Sequence, residues 1–122
     1  MTRIRFEFGA LTLDAELFAT PTAQAIAAAL PISSSALTWG EEVYFETPVS
    51  ARLEKDAQQV VEPGTVCFWT QGDALALPFG RTPISTDARP KLANPCNVLG
   101  SMKDFALLKK IRSGDKVRVE KA

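Results

Sequence analysis

Hydrophobic and polar residues alternate from the start of the chain. Ile4, Phe6 and Phe8 fall on one side of an extended segment, and Arg3, Arg5 and Glu7 on the other. After a break at Gly9-Ala10, the same period resumes with Leu11, Leu13, Ala15 and Leu17. Period-two patterning on both sides of a short break predicts an antiparallel hairpin with one wet face. The period then changes. Thr20 is placed to cap a helix whose first residue is Pro21, where a missing N–H is no loss. Ala23, Ile26, Ala27 and Leu30 follow helical spacing until Pro31 ends the run.

From Ser34 to Leu99 the pattern is one of strands and loops. Ala36-Leu37-Thr38-Trp39 and Glu42-Val43-Tyr44-Phe45 flank Gly40, and Ala51-Arg52-Leu53 has the composition of a short strand. Pro63-Gly64 is a turn signal, followed by Val66 to Trp69, a turn at Gly72-Asp73, and Ala74 to Leu77. Phe79-Gly80 opens a long loop with Pro83, Pro90 and Pro95, and Cys96 to Leu99 returns to extended structure. Ser101 with Asp104 resembles a capping box for a second helix carrying Phe105, Leu107, Leu108 and Ile111. Gly114 is expected to stop it, and Val117 and Val119 mark a final strand. With no repeat or linker, the economical expectation is one mostly-β domain, a barrel or sandwich with two short helices.

Composition narrows the chemistry. Fourteen basic and fourteen acidic residues cancel, so no long-range field draws the chain to nucleic acid or an anionic membrane. Lys109, Lys110 and Arg112 lie near a predicted helix end, where they complement its dipole. Zero net charge eases self-association, and a homodimer is one expectation. No apolar run approaches the roughly 20 residues of a bilayer span, and no signal peptide precedes the first strand pattern. Cys67 and Cys96 are too few for a disulfide scaffold, so a cytoplasmic protein with reduced thiols is expected. Cys67 reads as a buried strand residue and Cys96 as an exposed one at a strand start. The chain has no histidine, which removes Ser-His-Asp and Cys-His catalysis and histidine-bound metals. No metal and no cofactor is expected. Any catalysis falls to carboxylates, lysine, tyrosine, hydroxyls or backbone dipoles.

Trp39-Gly40-Glu41-Glu42-Val43-Tyr44-Phe45, Val61-Glu62-Pro63-Gly64, Phe68-Trp69, Phe79-Gly80-Arg81-Thr82-Pro83-Ile84-Ser85 and Asn97-Val98-Leu99-Gly100 together resemble the small bacterial and archaeal cyclophilin-like family. The resemblance covers nearly the whole chain. It implies a closed cyclophilin-like β-barrel of about eight strands with a helix over each open end, and no assigned activity. Phe68-Trp69-Thr70-Gln71-Gly72 is similar to the Phe-x-x-Gln-Gly string of cyclophilins, whose phenylalanine and glutamine line the proline groove. The position five residues before Phe68, an arginine in cyclophilins, is Pro63 here, and the groove histidine has no counterpart. The electrostatic contribution that usually dominates catalysis is then missing.

A candidate site falls around Gly72–Ser85. Gly72 and Gly80 permit close backbone approach, Thr82 and Ser85 offer hydroxyls, and Gln71 and Asn97 offer amides. Trp39, Tyr44, Trp69 and Phe79 are candidate aromatic walls for a small molecule or an extended peptide. The alternative for Thr82 and Ser85 is a tight corner with hydroxyls bonded to their own backbone, and for the aromatics, core packing. Glu41 and Glu42 point to opposite faces. With Val43 and Phe45 turned to the core, Glu41 is expected on the core side, either as a base with raised pKa or as the cap of a turn near Gly40. A non-catalytic binding module is the first expectation. A divergent prolyl isomerase, or a carboxylate-dependent enzyme using Glu41 or Glu42, is the alternative.

Overall fold

The computed structural model describes residues 1–122. The N-terminal hairpin forms as its alternation requires: β1 (Thr2–Phe8) pairs with β2 (Leu11–Leu17), placing Ile4 opposite Ala15 and Phe6 opposite Leu13. The helix α1 (Pro21–Ala29) follows, its first turn closed by the Thr20 Oγ1, which accepts from the Ala23 N–H at 3.2 Å. Eight further strands complete the fold: β3 (Ile32–Ser35), β4 (Leu37–Thr38), β5 (Glu42–Glu46), β6 (Gln58–Val60), β7 (Thr65–Trp69), β8 (Ala74–Pro78), β9 (Lys91–Met102) and β10 (Lys116–Lys121). None of the helices is long and apolar enough to cross a membrane.

The strands run in the order β3-β10-β1-β2-β9-β7-β8-β5-β4, with β6 added along β9. The sheet curls round a core that includes Ile4, Phe6, Leu13, Leu17, Val43, Phe45, Phe68, Leu75, Leu77, Leu99 and Val119. Within it Phe6 meets Phe45 edge to face, ring centroids 6.2 Å apart, a favoured aromatic geometry.

Two expectations about the frame are corrected. The barrel has ten strands rather than about eight, and hydrogen bonds do not close it. Its edge strands β3 and β4 are successive in the chain, joined only by the buried Ala36. Ala36 donates its N–H to the Asp115 carbonyl and accepts from the Gly114 N–H, so it bonds to the approach to β10 and adds no rung between the two edges. The second helix is a 3-10 turn over Phe105–Lys110 with no side-chain cap. Ser101 is unavailable as a cap because it lies inside β9, opposite Glu16 and Thr65.

Strand limits also shift between residues 51 and 96. Ala51-Arg52-Leu53 is not a strand, whereas Gln58–Val60 is. β9 begins at Lys91 and runs through Pro95. Proline is tolerated there because that part of β9 meets only β6, in a broken register.

The feature that positions the site is a second apolar layer. Residues directly opposite across strands share a face. Phe45, Leu75 and Phe68 form one such row, turned into the main core. Tyr44, Ala76, Cys67 and Val98 form the neighbouring row, turned outward. Outside the barrel Val61, Cys67, Ala76, Leu92 and Cys96 pack into a smaller buried cluster, with Tyr44, Trp69 and Val98 against it. The β5-β8-β7-β9 part of the sheet is therefore buried on both faces, as continuous apolar runs in a strand require.

Candidate functional site

A cleft of about 260 Å³ opens on this outer face, lined by Trp39, Glu42, Tyr44, Trp69, Ala76, Leu92, Ala93 and Cys96. Ala76 and Cys96 belong to the packed cluster beneath it, while the three aromatic side chains are half-buried around it. Tyr44 and Trp69 stand edge to face, centroids 6.3 Å apart and planes at 88°. Trp39 arrives on the turn before β5, where its N–H donates to the Glu42 carbonyl at 3.0 Å. Gly40 in that turn has a φ of +58°, a left-handed conformation that glycine adopts without strain.

Glu42 is the one carboxyl of the lining. It is 7% exposed, and its Oε1 is buried without a hydrogen-bond partner. Burial pushes its pKa up to about 7, since a charged carboxylate loses its hydration there. Two polar hydrogens of the lining are engaged elsewhere. Trp69 Nε1 donates to Asn94 Oδ1 at 3.1 Å, and Cys96 Sγ donates to the Asn94 carbonyl at 3.3 Å.

Both cysteines are free and buried, which corrects the expectation of an exposed Cys96. The reason is the outer layer, which covers the strand start. Burial pushes the Cys96 thiol up to about 12, and nearby Glu42 adds to the rise. Burial, with Cys96 and Glu42 close by, drives Cys67 well above its ordinary value. Neither supplies a thiolate nucleophile at neutral pH.

The structure brings Trp39, Tyr44 and Trp69 together, with Gly72 beneath the last, and distributes the other expected site residues elsewhere. Glu41 is exposed, and it is Glu42, on the opposite face, that is buried. The carboxylate of Glu41 reaches the Arg81 N–H at 3.2 Å, while its main chain bonds to Phe79 and Arg81, latching the 79–81 loop to the start of β5. Gly80 lies directly against that carboxylate. Gln71 is exposed on the β7–β8 turn, and Phe79 packs against the main core. Thr82 Oγ1 donates to the Lys91 carbonyl, and Ser85 Oγ accepts from the N–H groups of Thr82 (2.9 Å) and Lys91 (3.1 Å). These hydroxyls hold a loop corner, bonded to the Lys91 main chain and to each other.

Asn97 is fully buried. Its Nδ2 donates to Thr22 Oγ1 (2.9 Å) and to the Arg52 carbonyl (2.8 Å), and its Oδ1 accepts from the Glu54 N–H (2.7 Å). Glu54 in turn accepts from the Thr22 N–H and hydroxyl. This network fastens α1 to the sheet, away from the cleft. Gly72 does contribute to the cleft, because it lets the Trp69 indole lie flat over the β7–β8 turn.

The gathering of Ala76, Leu92, Ala93 and Cys96 around Glu42 was not anticipated from the sequence. A signal for it existed. Val66 to Trp69 and Ala74 to Leu77 carry no polar alternation, the mark of strands covered on both faces.

This fold is of the cyclophilin-like class. The sequence model of the Cyclophilin-like family matches residues 2–120, and the chain belongs to that family. It is also similar to a hypothetical protein from Archaeoglobus fulgidus of known solution structure. The two share 41% identity over 99% of this chain and 95% of the other, with a TM-score of 0.83. A search of curated proteins finds no match.

Proposed function

We propose that this chain is a non-catalytic binding module for a small molecule, held in the cleft formed by Trp39, Tyr44 and Trp69 around Glu42. The observation that carries this reading is Glu42, a carboxyl that lines an otherwise apolar hollow and whose Oε1 is buried without a hydrogen-bond partner. Ligand sites commonly combine apolar walls with a few placed polar groups, and an acceptor left unsatisfied after folding is costly unless something else satisfies it. A small molecule is favoured over an extended peptide because Phe79, which would lengthen the groove, packs against the core.

The prolyl isomerase reading has less support. Phe68 lies in the core with no exposure and Gln71 is exposed on a turn, so the two do not share a groove. A carboxylate-dependent enzyme keeps one supporting observation, the Glu42 proton held at a pKa of about 7. The lining offers no second carboxylate and no lysine or arginine to work with it.

The test is a thermal-shift screen of small aromatic and heteroaromatic compounds, followed by titration of tryptophan fluorescence. Binding to the folded state alone raises stability by mass action. The expected result is a saturable rise in Tm that Trp69→Ala abolishes. A hit whose shift persists in Trp69→Ala, or no hit across charge types, counts against the cleft.

A further inference from the structure

The cleft contains an acid and no base. The ion pairs of the protein, Arg3–Glu16, Arg5–Asp14, Arg89–Asp87 and Arg118–Glu120, all lie on exposed surface. None involves Glu42, and no lysine or arginine lines the hollow. Two hydrogens of the lining, on Trp69 Nε1 and Cys96 Sγ, are both taken by Asn94, and Glu42 Oε1 has no donor from any side chain. What the folded chain leaves unmet at this point is a hydrogen-bond donor and a positive charge.

The walls favour the same kind of guest. Trp39, Tyr44 and Trp69 present aromatic rings to the hollow, and the negative ring face attracts cations, tryptophan most strongly. An anionic ligand would meet Glu42 with no compensating cation. A neutral acceptor would bind only while Glu42 holds its proton. The volume of about 260 Å³ lies below the range usual for drug-sized ligands and suits a single ring with a short arm.

We propose that the cleft receives a small primary or secondary organic ammonium ion, its N–H donated to Glu42 and its apolar stem lodged among Trp39, Tyr44 and Trp69. This rests on the reading of the cleft as a small-molecule site and goes beyond it by fixing the charge and polar group of the ligand. Binding of such a cation favours ionised Glu42, so proton release accompanies uptake near neutral pH. The other groups facing Glu42 are Tyr44 from β5, Cys67 from β7 and Cys96 from β9, while β8 presents Ala76. Both thiols stay protonated and uncharged through this range. Glu41 and Arg81 are engaged with the 79–81 loop on the other side of the strand.

The full chain is titrated with benzylamine, a cation at neutral pH, and with benzyl alcohol as its neutral counterpart, by calorimetry and tryptophan fluorescence. At pH 8 benzylamine is expected to bind at least about tenfold more tightly than benzyl alcohol, from the cation's added interactions with the rings and carboxylate. Its affinity falls roughly tenfold at pH 6, where Glu42 is mostly protonated. Glu42→Gln weakens the preference, leaving only the part due to the rings, and removes the pH dependence. Equal binding of the two probes, or a preference and pH dependence undiminished in Glu42→Gln, overturns the inference while leaving the cleft as a site. No binding of either probe overturns both readings. If Glu42→Gln does not fold, calorimetry of the wild-type chain at pH 7 in two buffers of different ionisation enthalpy decides the matter. Net proton release with benzylamine and none with benzyl alcohol supports the inference, and no release with either overturns it.

Discussion

Gly72 lies so close beneath the indole of Trp69 that a β-carbon there would overlap its six-membered ring. The ring is held at its other side by the hydrogen bond from Nε1 to Asn94. The turn between β7 and β8 therefore sets the position of a cleft wall.

Gly72→Ala is predicted to displace Trp69 and to cost about 1–3 kcal/mol, the usual penalty for an inserted methyl group without room. Urea denaturation measures the cost, and near-ultraviolet circular dichroism reports the reoriented indole. A stability and spectrum equal to wild type would remove Gly72 from the account of the site.

Glu42 gives the protein a pH-dependent stability with a defined sign. Its pKa is raised by burial from the ordinary 4.5 to about 7, so the folded state holds a proton that the unfolded state gives up. The associated stability is fully present below about 4.5 and is lost as pH rises through 7, amounting to roughly 3 kcal/mol. Exposed Asp87, held at about 2 by hydrogen bonds from Arg89, and Asp14, lowered by the hydrogen bond from Arg5, act in the opposite sense and at lower pH. Denaturation between pH 5 and 8 isolates Glu42. Glu42→Gln is expected to flatten this dependence and to exceed wild type in stability at pH 8.

Asn97→Ala is predicted to destabilise by about 2–4 kcal/mol, because it leaves the Arg52 carbonyl and the Glu54 N–H without their buried partner. Folded variant protein retains its affinity for a cleft ligand, since the network joins α1 to the sheet. Denaturation and a binding titration on the same preparation separate the two effects. A selective loss of affinity would return Asn97 to the candidate site.

Alkylation distinguishes the cysteines. With the Cys96 pKa raised from 9.0 to about 12, its thiolate fraction at neutral pH falls roughly a thousandfold. Iodoacetamide is expected to label native protein very slowly, Cys96 before Cys67, because Cys96 borders the cleft. A cleft ligand should slow it further. Mass spectrometry of digested samples reads the order, and prompt labelling of Cys67 would contradict its burial.

Much of the frame was legible because local rules and tertiary packing agree. The β1–β2 alternation, Thr20 as a cap and Pro21 at the first helical position all describe elements whose outer side meets water. Legibility falls where a strand is covered twice. Around Glu42 the inference that one face is core and the other is solvent placed the buried carboxyl on Glu41, the wrong neighbour, since β6 and the start of β9 cover the outer side. Pro95 invited a loop because a break in pairing register is not written in residue types. Thr82 and Ser85 have the chemistry of a binding loop, but their partners, the Lys91 main chain and each other, are known only after folding.

The division of β5, β7 and β8 into inward and outward rows bears on how such a protein diversifies. Alternate positions answer to different physical demands: Val43, Phe45, Phe68 and Leu75 to packing of the main core, Tyr44, Trp69 and Ala76 to the shape of the hollow. A lineage can rewrite the second set one residue at a time without disturbing the first. A combinatorial library restricted to those outward positions should yield a high proportion of folded members with altered ligand preference, and the same number of changes on the inward row should yield few.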